Sequence, residues 1–248
     1  MKIDEKKLES LIPVPLFYLE KTDSTNTYAK EICQNLTSPF LVIAESQSNG
    51  KGRMGRSFYS GGEGIYMSFC FPTDSIQSSV CVTVATAAAV TKALLKNSWG
   101  DFKIKWVNDI FLNEKKVCGI LCESITGQVN RVIVGIGINV GECDFPDDIK
   151  DIAGSVNILT SPEKLISDIV HELIAFEKNP LDRSYMPLYR EHFMLSGEVV
   201  EAYADGQRVI GRVLGVEDNG GLILQVCDRS APITIISGEV SVRRKKSI

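Results

Sequence analysis

From Gly197 onward the sequence changes texture, and that change limits the fold more than any other feature. The short β-rich runs EVVEAYA, RVIGRVLGV, GLILQV and ITIISGEVSV follow one another, broken by ADGQ and DNGG turns. The part before them mixes helical and strand patterns. Helix-and-sheet first and all-β last predicts an α+β chain, with a larger domain over residues 1–195 and a small β-barrel over residues 196–248. A length of 248 residues suits this division, at about 100–200 residues per domain.

In the larger part, the DST turn at residues 23–25 offers Ser24 or Thr25 as cap to a short helix over 26–35. Residues 40–44 and 64–71 predict strands, joined by a polar, glycine-rich loop over 45–62. Residues 79–96 predict a buried helix; its apolar run is interrupted by Thr83, Thr86, Thr91 and Lys92 and falls short of a membrane span. Residues 102–140 read as strands punctuated by VND, NEKK and TGQVN turns, and 162–178 as an amphipathic helix.

Composition excludes several classes. With 44% hydrophobic and 23% charged residues the chain is neither disordered nor fibrous. A net charge of -4 gives no overall attraction to nucleic acid, so any anion must be held by a local cluster of Lys and Arg. The N-terminal MKIDEKKLES does not read as a secretory signal, and a cytoplasmic protein is expected. Seven scattered cysteines without a CxxC pair argue against a disulfide framework or a zinc site and for reduced, mostly buried thiols. The two histidines, His171 and His192, lie in helical patterns away from any Cys or Ser motif, which leaves a His-dependent nucleophile unsupported.

The cations crowd at Gly50-Lys51-Gly52-Arg53-Met54-Gly55-Arg56, where three glycines alternate with three cations. Glycine lets backbone approach a ligand, and Lys and Arg supply charge-assisted donors for phosphate and carboxylate. A flexible basic surface loop is the plain alternative. The same residues match GxGxxG, yet a dinucleotide site needs a helix directly after the glycines, and residues 57–66 are aromatic, glycine-rich and lead to a strand. Downstream come Lys105-Trp106-Val107-Asn108-Asp109 at the end of a strand, then KVCGIL and GIGINV, apolar runs whose glycines mark close backbone approach.

Taken in order, DSTN, QSNGKGRMGR, KWVND, KVCGIL and GIGINV resemble the biotin protein ligase family along the whole larger domain, and the SGEV run resembles that family's terminal barrel. The resemblance implies a mixed sheet with flanking helices, like class II aminoacyl-tRNA synthetases, plus an SH3-like barrel. It further implies that ATP, with Mg²⁺, activates biotin as biotinyl-AMP, which is then transferred to a lysine of a biotin carboxyl carrier protein. Residue by residue, Ser24, Thr25, Asn26 and Gln47 match biotin-binding positions. Lys51, Gly52 and Arg53 match the loop that closes over biotin and its adenylate. Lys105 matches the lysine beside the reacting carboxylate, so Lys105 and Arg53 are the expected catalytic pair. Arg56, Asn108, Lys116 and Asn139 match positions around the nucleotide, and Asp109 is structural or metal-related. No resident metal site is expected.

Two departures stand out. The family loop usually has Arg where this chain has Lys51, and Pro where it has Val107. Lysine keeps the charge without the fork, and valine is expected to keep an extended strand end, so activity is expected to survive. Within the same chemistry a lipoate ligase is the rival, although the glycine run ending in aromatic-His usual there is missing. A biotin-sensing repressor is disfavoured, because about twenty residues before Asp23 are too few for a DNA-reading domain. Neither nucleic acid nor membrane is an expected partner, and the family admits a homodimer.

Overall fold

The computed structural model describes residues 2–73, 79–204, 207–227, 229–236 and 240–242. At its centre is a seven-stranded sheet in the order β1 (Leu16–Thr22), β2 (Phe40–Gln47), β3 (Gly64–Pro72), β7 (Arg131–Asn139), β6 (Lys115–Ile125), β5 (Asp109–Leu112) and β4 (Phe102–Lys105). β1 and β2 run parallel and every other neighbouring pair is antiparallel.

The two-residue period of a strand divides β3 and β7 between two faces. Ile65, Met67, Phe69, Val132, Val134, Ile136 and Ile138 enter the main core. Helices α3 (Ser79–Asn97) and α4 (Pro162–Lys178) cover that face, with α1 (Glu5–Leu11) against α4 and α5 (Met186–His192) against α3. The opposite face carries Ser68, Cys70, Ile133, Gly135 and Gly137, and α2 (Thr25–Ile32) packs on part of it, its Ala29 joining Phe40 and Val42 of β2 in a second cluster. What remains uncovered on this face is a glycine-rich recess.

The helices follow local signals. Ser161 caps α4 by accepting from Lys164 N–H, and Pro162 fits the first turn, where its missing donor costs nothing. α3 is apolar over most of its surface, with Lys92 and Lys96 exposed, the pattern of a helix largely enclosed by protein. It is in fact long and apolar enough to cross a membrane, contrary to the sequence reading, yet 83% of its apolar window is buried inside this fold. α1 and β1 carry no strong pattern and were not anticipated, and β2 runs three residues past the expected strand end, to Gln47.

β8 (Val199–Ala204), β9 (Gln207–Val216), β10 (Leu222–Val226), β11 (Ile233–Ile235) and β12 (Val240–Val242) form a second, antiparallel sheet in the order β11-β10-β9-β8-β12. Among the described residues no pairing joins β11 to β12. Val200, Val213, Leu222 and Leu224 continue the main core. The DNGG turn seats this sheet against the first: Trp106 Nε1 donates to the Gly220 carbonyl at 2.9 Å. Gly220 has φ +89°, and a Cβ there would lie 2.9 Å from Val80, so the turn requires glycine twice over.

Candidate active site

The recess on the α2 face is a cavity of about 160 Å³. Its floor follows from two glycines. Gly119 of β6 and Gly137 of β7 are cross-strand partners, and a Cβ on either would run into the Phe58 ring. Phe58 therefore rests on a bare strip of sheet. Gly135, one pleat away, leaves room for the Asn26 amide, which a Cβ there would overlap. These are the glycines of KVCGIL and GIGINV, and the close approach expected of them is side chain on sheet.

At one end, α2 points its first residues into the cavity. Ser24 is the cap residue, one of the two expected, although its side chain makes no cap bond; it is buried and lines the cavity. Thr25 N–H donates to Gln47 Oε1 at 2.8 Å, and the Thr25 hydroxyl lies 3.2 Å from the same oxygen. Gln47 Nε2 donates to the Ser60 hydroxyl at 2.9 Å. Asn26 Nδ2 donates to the Leu121 carbonyl at 3.3 Å and to Glu123 at 2.8 Å, while its Oδ1 accepts from Ser68 at 2.6 Å.

The glycine-and-cation segment is an ordered, hairpin-like loop. Lys51 bridges Ser57, Gly52 N–H donates to the Arg56 carbonyl at 2.7 Å, and Phe58 N–H donates to the Gly50 carbonyl at 2.8 Å. Residues Arg53–Gly55 form a 3₁₀ turn that Met54 and Gly55 close with positive φ, leaving Met54 exposed at the tip. Gly50 admits no side chain, since a Cβ would lie 2.5 Å from the Phe58 carbonyl. The loop meets the sheet through Arg53 Nη1, which donates to Asn108 Oδ1 at 3.4 Å, and Asn108 is anchored by Nδ2 on the Ile120 carbonyl at 3.0 Å.

Two lysines complete the wall. Lys105 ends β4, with its ammonium 5.9 Å from the Phe111 ring centre. Lys116 has its ammonium 2.8 Å from Asp109 and 6.0 Å from the Phe58 ring centre. After Lys105 the chain turns through residues 106–108, as the VND turn anticipates, and Val107 does not extend the strand end as expected of it. On the core face of β6, Cys118 is buried and Cys122 half-buried, and desolvation pushes Cys122 up to about 11 and Cys118 higher still, which favours the protonated thiol in both.

The cavity lining thus holds Ser24, Thr25, Asn26, Gln47, Lys51, Gly52, Arg53, Arg56, Lys105, Asn108 and Lys116, together with Asp109. Asn139 does not line it; buried at the end of β7, it donates to the Gly154 carbonyl at 2.8 Å and holds the following segment to the sheet. Phe58, Trp106, Gly135 and Val240 line the cavity without having been singled out as site residues. Paired glycines on neighbouring strands were the available signal for the floor. Nothing in the sequence pointed to Val240, which arrives from the second sheet.

Arranged this way, the site sets neutral hydrogen-bonding groups at one end and cations along the rest, a shape for an elongated molecule with a polar head and an anionic tail beside further phosphates. Residues 18–139 match the model of the biotin/lipoate A/B protein ligase family. The bifunctional ligase/repressor BirA of Bacillus spizizenii is 36% identical over 225 residues, which cover 85% of this chain and 69% of that protein. A biotin–[acetyl-CoA-carboxylase] ligase from Paracoccus denitrificans is 27% identical over 84% of this chain and 92% of its own length. Among solved structures, the biotin protein ligase of Aquifex aeolicus in complex with biotin and ATP superposes with a TM-score of 0.77 at 28% identity, over 93% of this chain and 99% of that one. A family pattern that spans the cavity-forming motifs, and a relative this similar over this much of both chains, place the protein: it belongs to the biotin/lipoate A/B protein ligase family.

Proposed function

We propose that this chain is a biotin protein ligase, which condenses biotin with ATP to biotinyl-AMP and pyrophosphate and then passes the biotinyl group to a lysine of a biotin carboxyl carrier protein. One observation carries the choice of biotin over lipoate. Both Nδ2 hydrogens of Asn26 are used inside the protein, so Asn26 offers the cavity an acceptor, Oδ1. Gln47 uses Oε1 on Thr25 and keeps one Nε2 hydrogen to donate, and the Ser24 hydroxyl stands beside them. Acceptor, donor and hydroxyl together complement a cyclic urea, with its N–H and C=O groups. The dithiolane ring of lipoate has neither.

Lys51, Arg53 and Lys105 then act on charge. A carboxylate attacks the α-phosphate although both are anions, so cations must offset the repulsion and hold the attack in line. Arg56, Asn108 and Lys116 face the nucleotide, and Asn139 supports it indirectly through the Gly154 segment. Magnesium fits as the companion of the triphosphate. Among the described residues no group of three His, Cys, Asp or Glu side chains forms a cage, and Asp109 is the carboxylate in the lining. When bound, the ion supplies charge neutralisation for the departing pyrophosphate. The carrier lysine attacks the mixed anhydride directly, so no enzyme nucleophile is needed. We also assign residues 1–195 to the catalytic domain and residues 196–248 to an SH3-like barrel, supported by the purely antiparallel second sheet that starts at Val199.

The test is pyrophosphate exchange with ATP and Mg²⁺ and either biotin or lipoate. Exchange is expected with biotin and not with lipoate. Equal exchange with both removes the urea argument.

A further inference from the structure

Asn26 faces the ligand, yet what decides which of its atoms faces the ligand lies behind it. Leu121 and Glu123 sit one pleat apart on β6, and both present acceptors to Asn26 Nδ2, a carbonyl at 3.3 Å and a carboxylate at 2.8 Å. The Ser68 hydroxyl, which also lies 2.8 Å from Thr25 Oγ1, directs its hydrogen to the nearer Asn26 Oδ1 at 2.6 Å. A carboxylate and a carbonyl can only accept, so this shell permits one orientation of the amide and forbids its flip. Glu123 is itself held by Lys30 of α2, at 2.6 Å from the other carboxylate oxygen. Glu123 and Lys30 do not line the cavity.

We propose that Glu123 is a positioning residue for the ligase reaction, keeping Asn26 Oδ1 toward a ligand N–H. The inference rests on the biotin ligase reading. Replacing the carboxylate by an amide brings an N–H donor to this point. Asn26 can then meet the new amide by reversing, now opposed by the Leu121 carbonyl alone, and each reversed amide turns Nδ2 toward the ligand and sets donor against donor. The cost falls on binding of the urea ring, because the reacting carboxylate and the nucleotide lie at the cationic end of the cavity.

The experiment uses the full chain in biotin-dependent pyrophosphate exchange. In Glu123→Gln the KM for biotin is expected to rise about ten- to a hundredfold, the range for a hydrogen bond with a mismatched partner. Both the KM for ATP and kcat at saturating biotin should stay within about threefold of wild type. In an Asn26→Ala background, Glu123→Gln should add little, because its effect passes through Asn26. Ser68→Ala, which deletes the donor on the other side of the amide, is expected to raise the biotin KM about three- to tenfold and supplies the same test should Glu123→Gln fold poorly. A wild-type biotin KM in Glu123→Gln or Ser68→Ala, or an effect that adds in full to Asn26→Ala, overturns the positioning role while leaving the ligase reading intact. A wild-type chain inert toward biotin overturns both.

Discussion

Lysines are used in two ways in this molecule, and the contrast lies between the α3–α4 face and the cavity. On the helical face Lys7, Lys92, Lys96 and Lys164 each pair with a carboxylate of the same fold. Lys96 lies 2.9 Å from Asp168, Lys164 pairs with the same group, and Asn97 donates to its other oxygen. Lys7 lies 2.9 Å from Glu163. In the cavity, Lys51, Arg53, Arg56, Lys105 and Lys116 share a lining whose carboxylate, among the described residues, is Asp109. On the helical face, charges are neutralised within the fold and serve to join elements. In the cavity several cations converge on one lining, an arrangement suited to receiving an anionic ligand rather than to joining two elements.

The comparison breaks most sharply at Lys105. Lys105→Ala should lower adenylate formation by roughly 10²–10³, the scale for losing one preorganised donor at a developing charge. Its thermal stability should stay close to wild type, since an ammonium at a strand end over an aromatic ring adds little to a core. If stability collapses while adenylation persists, Lys105 belongs with the structural lysines. The next effect is on retention. Arg53 joins the loop to Asn108, and pairing with the adenylate should make loop closure depend on the ligand. Arg53→Ala should still form biotinyl-AMP but lose it roughly ten- to a hundredfold faster, for about 1.5–3 kcal/mol of charged hydrogen bonding. Released adenylate labels lysines of a bystander protein in the absence of carrier. Labelling and adenylate dissociation at the wild-type level would mean that the loop is not the shield.

The cavity end of this contrast was more legible in the sequence than the helical end. Residues whose chemistry is unusual for their setting, such as Lys51 and Arg53 between glycines or Lys105 beside a tryptophan, advertise themselves, and the fold brings them together. The strands carrying Gly119, Gly135 and Gly137 were visible, but which glycines form one floor depends on register between strands, here the pairing of Gly119 with Gly137. Asn139 looked like its neighbours in the motif, yet it lies past the floor and bonds to Gly154. The VND turn was legible, but the extended strand end expected of Val107 was not formed, because the turn begins already at Trp106. The Asp4–Glu163 hydrogen bond and the Lys7–Glu163 ion pair join residues 159 and 156 positions apart, and no local pattern encodes such a partner.

The smallest expected effect tests the helical side. Burial alone would push the Glu163 carboxyl up, but hydrogen bonds from Asp4 N–H at 2.9 Å and from Lys7, with Ser161 adjacent, outweigh it and hold the group down at about 2. A carboxyl lowered in the fold adds stability that is fully present above its unfolded value, 4.5, and is lost as pH falls through about 2. Glu163→Gln removes that charge and keeps the shape. At pH 7 the variant should be less stable by about 1–2 kcal/mol, with solvent screening of the exposed Lys7 partner taken into account. At pH 3 the gap should be narrower, because the wild type is by then losing what the variant never had. Urea denaturation of both proteins at the two pH values measures this, and biotin-dependent exchange at pH 7 should be unchanged. An equal gap at pH 3 and pH 7 would mean that the carboxylate's charge is not the source. A changed biotin KM would mean that the α1–α4 junction reaches the cavity after all, and the separation between structural and ligand-facing cations would have to be redrawn.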